Sequence, residues 1–389
     1  MKERLNNMIL KNASVFIGER FEMVDIAIED GKIKEIGQSL CRTTKDEIEM
    51  DYTGRKIIPG MVEIHSHGCL GYDFCTATQS QMNEMRAYYA SQGTTALLAT
   101  VMTGPKDVLR KAMKEVKNSI EEVRYSIGET EECKTRIMGI NLEGPFFGEA
   151  KKGAHDVNCL LQLDEEFIDE LQALSGNHIQ LLDVDPTLNN ALYYIEKYSK
   201  QMTVSIAHTV CNYELANKAI AAGATHITHL FNAMNPLHHR DSGLIGAFSD
   251  NQVNAELICD GFHVHPSVIR MMYKVAGDRI LLISDSISAM GLPDGHYISG
   301  GLDIAVKNGE ATLENGTIAG STISLLEGVR RVISYGISEE EAILGATMRP
   351  AKAVGIDAQV GSIEVGKCAD LLVVDNQYNI EKVFISGIE

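Results

Sequence analysis

The sequence has no long apolar run and fewer basic than acidic residues, and each shortage excludes a class of protein. No apolar run approaches the ~18 residues that a membrane-spanning helix needs, and the opening segment MKERLNNMIL lacks the apolar stretch of a secretion signal. Lysine and arginine together number 35 against 53 aspartates and glutamates, which gives a formal net charge of −18. Nucleic acids and anionic membranes require a positive surface, so we expect no nucleic acid and no membrane as a partner.

The sequence also has no C-x-x-C motif, although it contains eight cysteines. These cysteines are scattered along 389 residues with no visible secretion signal. Such a distribution is typical of reduced thiols that fill a protein core, and not of a disulfide framework. We therefore expect a cytoplasmic protein.

What the sequence does contain is a regular alternation of apolar, strand-like segments with amphipathic, helix-like ones. The predicted strands cover residues 61–67, 94–101, 136–144, 178–184, 202–209, 225–230, 253–260 and 279–285. Apolar strands that are separated by helices favour a parallel sheet covered by helices on its outer face. Eight such units are the number that closes a TIM barrel, so the predicted fold class is α/β with a (β/α)8 barrel.

Both ends of the chain differ from this alternation. Residues 9–59 and 355–389 contain short alternating strands and turns, including the hairpin signal EDGK. Each end is too short for a domain of its own. We therefore predict one small β-sandwich domain, residues 1–59 plus 355–389, beside a metal-dependent TIM-barrel catalytic domain of residues 60–354. Residues 300–322 predict further hairpins, inserted after the eighth strand.

The first barrel strand ends in an unusual pair of histidines, in the segment IIPGMVEIHSHGCLGYDF. Side chains at positions i and i+2 of a strand point to the same side, so His65 and His67 lie next to each other. Two adjacent imidazoles at a strand end can chelate a metal ion. A polar strand end with two solvated histidines is the alternative, and the motif alone does not decide between them.

The ends of the other predicted strands decide the question. In a TIM barrel the chemistry lies at the C-terminal ends of the strands, which meet at one mouth. Beyond the histidine pair, five strand ends carry or are followed by a metal-type residue: Glu143, His208, His229, His263 and Asp285. Six such ends out of eight exceed what chance would place there. Histidines with carboxylates suit Zn²⁺, Fe²⁺ or a similar ion, so the sequence predicts a divalent metal site.

Three other histidines carry no predicted role: His178, which precedes the fourth strand at the N-terminal end of the barrel, His226 and His296. His226 precedes His229 by three positions, so on a regular strand we expect it to face away from the barrel interior, toward the helices. His296 lies in a segment rich in glycine and proline, which predicts a loop.

In the residues at its predicted strand ends, the chain resembles the amidohydrolase superfamily. The pair HSH on strand one, an acid on strand three, histidines on strands five and six and an aspartate on strand eight carry this resemblance. Longer strings are similar to those of the N-acetylglucosamine-6-phosphate deacetylase family, nearly from end to end: PGMVEIHSHG, LEGPF, KKGAHD, THLFNAMNPLHHR, GLIGAF, DGFHVHP, GLPDGHY, GTIAGST and GSIEVGKCADLLVVD.

The resemblance implies a role for each matched residue of the metal centre. Glu143, His208 and His229 match the family's main metal ligands. His65 and His67 match a second metal position, which Glu143 would bridge to the first. The expected cofactor is therefore a divalent metal ion, Zn²⁺ or Fe²⁺, with one or two ions per chain.

The resemblance also implies catalytic residues. Asp285 matches the general base, which takes a proton from water and then returns it to the departing amine. His155 matches the group that polarises the acetyl carbonyl and stabilises the oxyanion.

A phosphate site follows from the same resemblance. Arg240, the backbone N–H groups of Asn232 and Ala233, and His263 match the family's contacts to the sugar phosphate. The segment HHR, which ends at Arg240, supplies local positive charge inside an acidic protein. A solvated basic loop is the alternative interpretation of this segment.

The implied reaction is the deacetylation of N-acetylglucosamine 6-phosphate to glucosamine 6-phosphate and acetate, in amino-sugar catabolism. The expected partner is thus a small-molecule amino sugar phosphate, and the resemblance alone implies a homodimer. Two strings depart from the family: LLDVDPTLNN on strand four and ISDSISAMG on strand eight. They leave the sugar open, so N-acetylgalactosamine 6-phosphate or another N-acyl amino sugar phosphate remains an alternative. A non-catalytic relative that binds sugar phosphates, and a cyclic-amide hydrolase, are further alternatives.

Overall fold

The computed structural model of the protein describes residues 7–42, 47–125 and 133–389. The first six residues of the predicted small domain lie outside these ranges. Numbered in chain order, the strands are β1 (Asn7–Ile17), β2 (Arg20–Glu29), β3 (Lys32–Gly37), β4 (Ile48–Asp51), β5 (Lys56–Pro59), β6 (Met61–Glu63), β7 (Gly68–Cys69), β8 (Tyr72–Asp73), β9 (Thr94–Met102), β10 (Arg136–Glu143), β11 (Ile179–Val184), β12 (Thr203–Ile206), β13 (His226–Ile227), β14 (Asn254–Ile258), β15 (Ile280–Ile283), β16 (Gly295–Ser299), β17 (Leu302–Lys307), β18 (Glu310–Thr312), β19 (Leu371–Val374) and β20 (Ile380–Phe384). The α-helices are α1 (Gln79–Ser91), α2 (Lys106–Tyr125), α3 (Glu165–Leu174), α4 (Ala191–Tyr198), α5 (Tyr213–Ala221), α6 (Gly243–Asp250), α7 (Pro266–Ala276), α8 (Leu325–Ser334), α9 (Glu339–Ala346) and α10 (Met348–Ala353).

Local signals in the sequence explain where the first barrel helix begins and ends. Thr78 precedes α1 and forms a capping box with Gln81, in which each side chain accepts a hydrogen bond from the other residue's backbone N–H. The helix buries Met82 and Met85 against the barrel, and Gly93 follows it in the left-handed conformation at φ +87°. Glycine tolerates this conformation without strain, so it stops the helix and turns the chain into β9.

The central sheet is the predicted parallel barrel. Its eight strands follow the order β6, β9, β10, β11, β12, β13, β14 and β15, and every adjacent pair is parallel. The chain closes the ring just beyond β6 and β15, where Ser66 and Ser286 form a parallel bridge. The N–H of Asp285 donates to the carbonyl oxygen of His65 at 3.0 Å, and the N–H of His67 to that of Ser286 at 2.7 Å. The predicted TIM-barrel fold is confirmed.

The barrel interior is strongly polar near its C-terminal end. Glu63, Asn141, Asp183 and Glu256 are all buried there, with at most 1% of each exposed to solvent. Glu63 and Asn141 precede His65 and Glu143 by two positions, so they occupy the same inward face of their strands. A layer of buried polar groups therefore lies directly below the residues at the mouth.

Strands from the two ends of the chain share one sheet, in the order β20, β19, β5, β1, β2 and β3, with β4 paired to β1. An apolar cluster that includes Leu10, Ile26 and Phe384 covers this sheet separately from the barrel core. Arg136, at the start of β10, forms a partly buried ion pair with Asp370 and so links the two parts. These seven strands, contributed by both ends of the chain, are joined by hydrogen bonds in a single sheet. The domain limits at 59 and 355 remain a prediction.

The predicted insertion after the eighth strand forms an antiparallel three-stranded sheet of β16, β17 and β18. Ser321, just after this sheet, donates its N–H to the carbonyl oxygen of Asp285 at 2.8 Å. The insertion is therefore attached directly to the mouth of the barrel. Within the described residues, no helix combines the length and apolar character that crossing a membrane would take.

Candidate active site

The barrel brings the predicted strand-end residues together at one mouth. His65 and His67 follow β6, and Glu143 is the last residue of β10. The other residues follow β12, β13 and β15: His208, His229 and Asp285. Each of these six residues is buried, with 7% or less of its surface exposed.

Three of these residues have an uncommon backbone conformation. His208, His229 and Asp285 have positive φ angles of 46°, 30° and 49°. Residues with a Cβ rarely adopt this left-handed region, and such strain is often found at functional sites. Here it occurs where the chain leaves a barrel strand and turns a polar side chain into the mouth.

The first cluster consists of Glu143, His208 and His229. Oε1 of Glu143 lies 3.1 Å from Nε2 of His208 and 3.2 Å from Nε2 of His229, and the two nitrogens are 3.1 Å apart. Ligand atoms of a tetrahedral ion with bonds of about 2.0–2.2 Å lie at similar mutual distances. The Nδ1–H of His208 donates to the carbonyl oxygen of Lys151 at 2.9 Å, which leaves Nε2 free to bind an ion.

The second cluster consists of His65, His67 and Glu143. Nε2 of His67 lies 3.4 Å from Oε2 of Glu143 and 3.1 Å from Oδ1 of Asp285. Nε2 of His65 lies 3.6 Å from both carboxylates and has no hydrogen-bond partner among the described residues, although it is fully buried. A buried nitrogen without a partner fits a metal ligand, because it would otherwise cost free energy. The two clusters share Glu143 and fit one or two divalent ions.

The electrostatics of the site favour a cationic ligand. Burial opposes charge on Glu143, but His155 and His65 hold its pKa well below the ordinary value. Burial likewise opposes charge on His65, yet the carboxylates of Glu256 and Glu143 hold its pKa well above the ordinary value. The buried carboxylates thus stabilise positive charge nearby. Protons on the histidines supply this charge without metal, and a divalent ion would supply it in their place.

Two further pKa shifts set the protonation states that a metal site needs. Burial and the neighbouring His155 lower the pKa of His208 to about 4, so this ligand is neutral near pH 7. Burial would raise the pKa of Asp285, but the hydrogen bond from His67 and the charge of His65 lower it. Asp285 is therefore an ionised carboxylate beside the metal cluster, as a general base must be.

A cavity of about 390 Å³ opens above these residues. His155 lines it, with Nε2 3.6 Å from Oε2 of Glu143. Of the predicted phosphate contacts, three residues line the same cavity: Asn232, Ala233 and His263. The Nδ1–H of His263 donates to Asp260 at 2.7 Å, so its other ring nitrogen is available to a substrate.

Two of the predicted phosphate donors, the backbone N–H of Asn232 and the side chain of Arg240, do not point freely into the cavity. The backbone N–H of Asn232 donates to the carbonyl oxygen of His229 at 2.9 Å, because the chain makes a tight turn after β13. This donor is therefore already engaged. Arg240 is exposed and does not line the cavity, and its guanidinium lies 2.6 Å from Nε2 of His239. Its role in phosphate binding remains a prediction.

The predicted orientation of His226 is wrong. Its Nε2 lies 3.1 Å from Oε1 of Glu256, inside the barrel, and not toward the helices. The prediction assumed one regular strand through His229, but β13 is only two residues long and His229 has a positive φ. His296 lies in the strand β16 where a loop was predicted.

The sequence-based prediction also missed residues that shape the site. Glu256 contacts His65 and His229 from inside the barrel. Ile304, Ile318 and Ala319, from the inserted strands and the segment that follows them, also line the cavity. The hairpin patterns over residues 300–322 and the string GTIAGST marked this segment, but neither indicated that it lines the cavity.

A TIM barrel whose strand ends gather histidines, a shared glutamate and an ionised aspartate defines a class of metal-dependent hydrolase. The model of the amidohydrolase family matches residues 57–388. The chain belongs to this family.

Two relatives of the chain are deacetylases of amino sugar phosphates. The chain is 35% identical over 336 residues to an N-acetylglucosamine-6-phosphate deacetylase from Vibrio furnissii, which covers 85% of this chain and 82% of that protein. It is 30% identical to an N-acetylgalactosamine-6-phosphate deacetylase from Escherichia coli O157:H7, over 93% of each chain.

A solved structure shows the same similarity in three dimensions. It is a mutant N-acetyl-D-glucosamine-6-phosphate deacetylase from Mycobacterium smegmatis, in complex with N-acetyl-D-glucosamine-6-phosphate. The two folds superpose with a TM-score of 0.89 at 27% identity, over 98% of this chain and 99% of that one.

Proposed function

We propose that the protein hydrolyses the acetamide of N-acetylglucosamine 6-phosphate and releases glucosamine 6-phosphate and acetate. One observation carries this proposal: the ionised carboxylate of Asp285 lies against a buried cluster of histidines and Glu143, which fits divalent ions. The similarity to the deacetylase from Vibrio furnissii supports the choice of substrate.

The metal ligands follow from the two clusters. Glu143, His208 and His229 would hold the first ion, and His65 and His67 would hold a second ion that shares Glu143. Nitrogen and oxygen ligands of this kind suit Zn²⁺ or Fe²⁺. When bound, such an ion supplies Lewis acidity and lowers the pKa of water toward neutrality.

The residues of the chain provide the proton transfers. Asp285 accepts a proton from the water that attacks the acetyl carbonyl carbon. As the C–N bond breaks, Asp285 returns this proton to the amine nitrogen, so that the amine leaves neutral. His155 donates a hydrogen bond to the carbonyl oxygen, on which negative charge develops in the tetrahedral transition state.

The phosphate is held away from the reacting amide. His263 and the backbone at Ala233 lie in the cavity, and Arg240 follows on the same loop beyond β13. Short contacts must hold a dianion here, because the net charge of −18 repels it at longer range. Binding energy from the phosphate then positions the acetyl group for attack.

The epimer N-acetylgalactosamine 6-phosphate is the second candidate substrate, because a deacetylase of that sugar is 30% identical over 93% of the chain. A non-catalytic role is disfavoured, since a base, metal ligands and an open cavity occur together. The identity of the metal, a homodimeric state and a cytoplasmic location remain predictions.

A substrate panel tests the proposal. Acetate release is measured with N-acetylglucosamine 6-phosphate, N-acetylgalactosamine 6-phosphate and unphosphorylated N-acetylglucosamine, and bound metal is measured on the same sample. We expect the highest kcat/KM for the first sugar, a much lower one without the phosphate, and no activity in Glu143→Gln. Equal rates on all three sugars, or activity in that variant, would contradict the proposal.

A further inference from the structure

Glu256 has no role in the reaction described above, yet it contacts a residue of each metal cluster. It is fully buried in β14. Its Oε2 accepts hydrogen bonds from Nδ1–H of His65 at 2.9 Å and from the backbone N–H of His229 at 3.1 Å. Its Oε1 lies 3.1 Å from Nε2 of His226.

The first of these contacts determines which nitrogen of His65 is available to a metal ion. An ionised carboxylate only accepts hydrogen bonds, so Nδ1 of His65 must carry a proton. Nε2 is then the nitrogen with a free lone pair, and it lies between Glu143 and Asp285 at 3.6 Å from each. A carboxylate behind a histidine ligand fixes the orientation of the ring and raises the basicity of the ligating nitrogen.

The second contact reaches the other metal position. The N–H of His229 belongs to a backbone with φ +30°, which a side chain of this type seldom adopts. The hydrogen bond from this N–H to Glu256 holds the turn in place. One carboxylate therefore contacts a residue of each metal cluster, from a strand that contributes no ligand to either.

We propose that Glu256 is a positioning residue of the metal centre, which holds His65 as an Nε2 ligand and supports the turn that carries His229. This inference rests on the metal site of the proposed function but not on the substrate. Its main consequence concerns the ion that His65 binds, because Glu256 contacts the ring of His65 but only the backbone of His229.

The test is a Zn²⁺ titration of the metal-free full-length protein, in competition with a chromophoric chelator. Glu256→Met removes the acceptor at similar volume, and Glu256→Gln keeps one acceptor oxygen but removes the charge. His65→Asn defines the part of Zn²⁺ binding that depends on that ring. Thermal unfolding of each metal-free variant shows that it is folded.

A matched control comes from the same polar layer. Asp183 is fully buried in β11, and neither carboxylate oxygen has a hydrogen-bond partner among the described residues. Asp183→Asn therefore replaces a buried carboxyl group of the barrel without removing a hydrogen bond to a metal ligand.

We expect Glu256→Met to weaken the His65-dependent Zn²⁺ binding by about 10–100-fold, as loss of such a partner typically does. Glu256→Gln should lie between this variant and the wild type, and Asp183→Asn should bind Zn²⁺ as the wild type does. If Glu256→Met does not fold, the Glu256→Gln result decides.

Three results would overturn the inference: unchanged His65-dependent affinity in a folded Glu256 variant, an equal loss in Asp183→Asn, or no Zn²⁺ binding that depends on His65. Because no substrate is present, none of these outcomes bears on which sugar is deacetylated. A failure of the deacetylase proposal would appear only in the substrate panel.

Discussion

Replacing the proposed base with its amide, Asp285→Asn, should separate catalysis from binding. The carboxylate is buried, and its Oδ1 lies 3.1 Å from Nε2 of His67. Asparagine has the same shape but cannot accept a proton at neutral pH. Asp285 belongs to neither three-residue metal cluster, so its substitution leaves the ligands Glu143, His208 and His229 in place.

The size of the loss follows from what a positioned base contributes. General acid–base catalysis is typically worth about 10²–10⁴-fold in rate. This range corresponds to about 3–5 kcal/mol of transition-state stabilisation. Because Asp285 acts twice, once on the water and once on the departing amine, we expect a loss in the upper half of this range. KM should change little, since neither role contributes to holding the sugar phosphate.

The assay is steady-state acetate release from N-acetylglucosamine 6-phosphate, with metal content measured on the same sample. Asp303→Asn is the matched control, because Asp303 is exposed on β17 and does not line the cavity. It should retain wild-type kinetics. Near wild-type kcat in Asp285→Asn would refute the assignment of the base, and a loss of metal equal to the loss of rate would make Asp285 a ligand instead.

Three further predictions concern the metal, the phosphate and pH. Replacing both His65 and His67 with alanine should lower bound metal by about one ion per chain, and full metal content in elemental analysis would contradict the two-ion site. Arg240→Ala should lower kcat/KM for the phosphorylated sugar by about ten- to a hundredfold, the worth of a charge-assisted hydrogen bond, and leave the unphosphorylated sugar almost unaffected. Equal losses would assign Arg240 to the fold. Burial and the nearby Glu256 raise the pKa of Asp183 well above its ordinary value, so the folded protein keeps a proton that the unfolded chain loses above about pH 4. The contribution of Asp183 to stability should therefore fall as pH rises above about 4, by up to about 1.4 kcal/mol per pH unit, and the difference in unfolding free energy between the wild type and Asp183→Asn should change with pH in chemical denaturation. A pH-independent difference between the two proteins would contradict it.

The strand-end residues were predictable because one topological rule places them. Parallel strands of a closed barrel all end at the same mouth, so apolar strands followed by His65, Glu143 or Asp285 predict a shared site without any contact information. The eight predicted strands alternate with helices at regular intervals, and this alternation predicted the barrel fold. Capping signals such as Thr78 and Gln81 then fixed where a helix begins.

The polar layer below the site could not be predicted in the same way. Glu256 lies inside an apolar strand and meets His65, which is 191 positions earlier in the chain. Strand periodicity gives the face of a side chain but not its partner on another strand. It gave the wrong face for His226, because the chain leaves β13 after two residues and the period of two ends there.

The insertion after β15 and the loop after β13 had the weakest signals. Hairpin patterns predicted strands near Ile304, but nothing local indicates that they line the cavity. The exposure of Arg240 is likewise a property of how its loop packs, which neither the resemblance nor the charge of the segment HHR indicates. The sugar remained the most open part of the prediction, because the strings LLDVDPTLNN and ISDSISAMG depart from the family.

The central claim is that this metal cluster hydrolyses the acetamide of an amino sugar phosphate. The most direct measurement is a proton NMR time course of purified protein with N-acetylglucosamine 6-phosphate, with Glu143→Gln in parallel. We predict that acetate and glucosamine 6-phosphate appear in equal amounts with the wild-type protein and do not appear with the variant. An intact acetamide signal in the metal-loaded wild-type sample, or equal acetate release by Glu143→Gln, would contradict the claim.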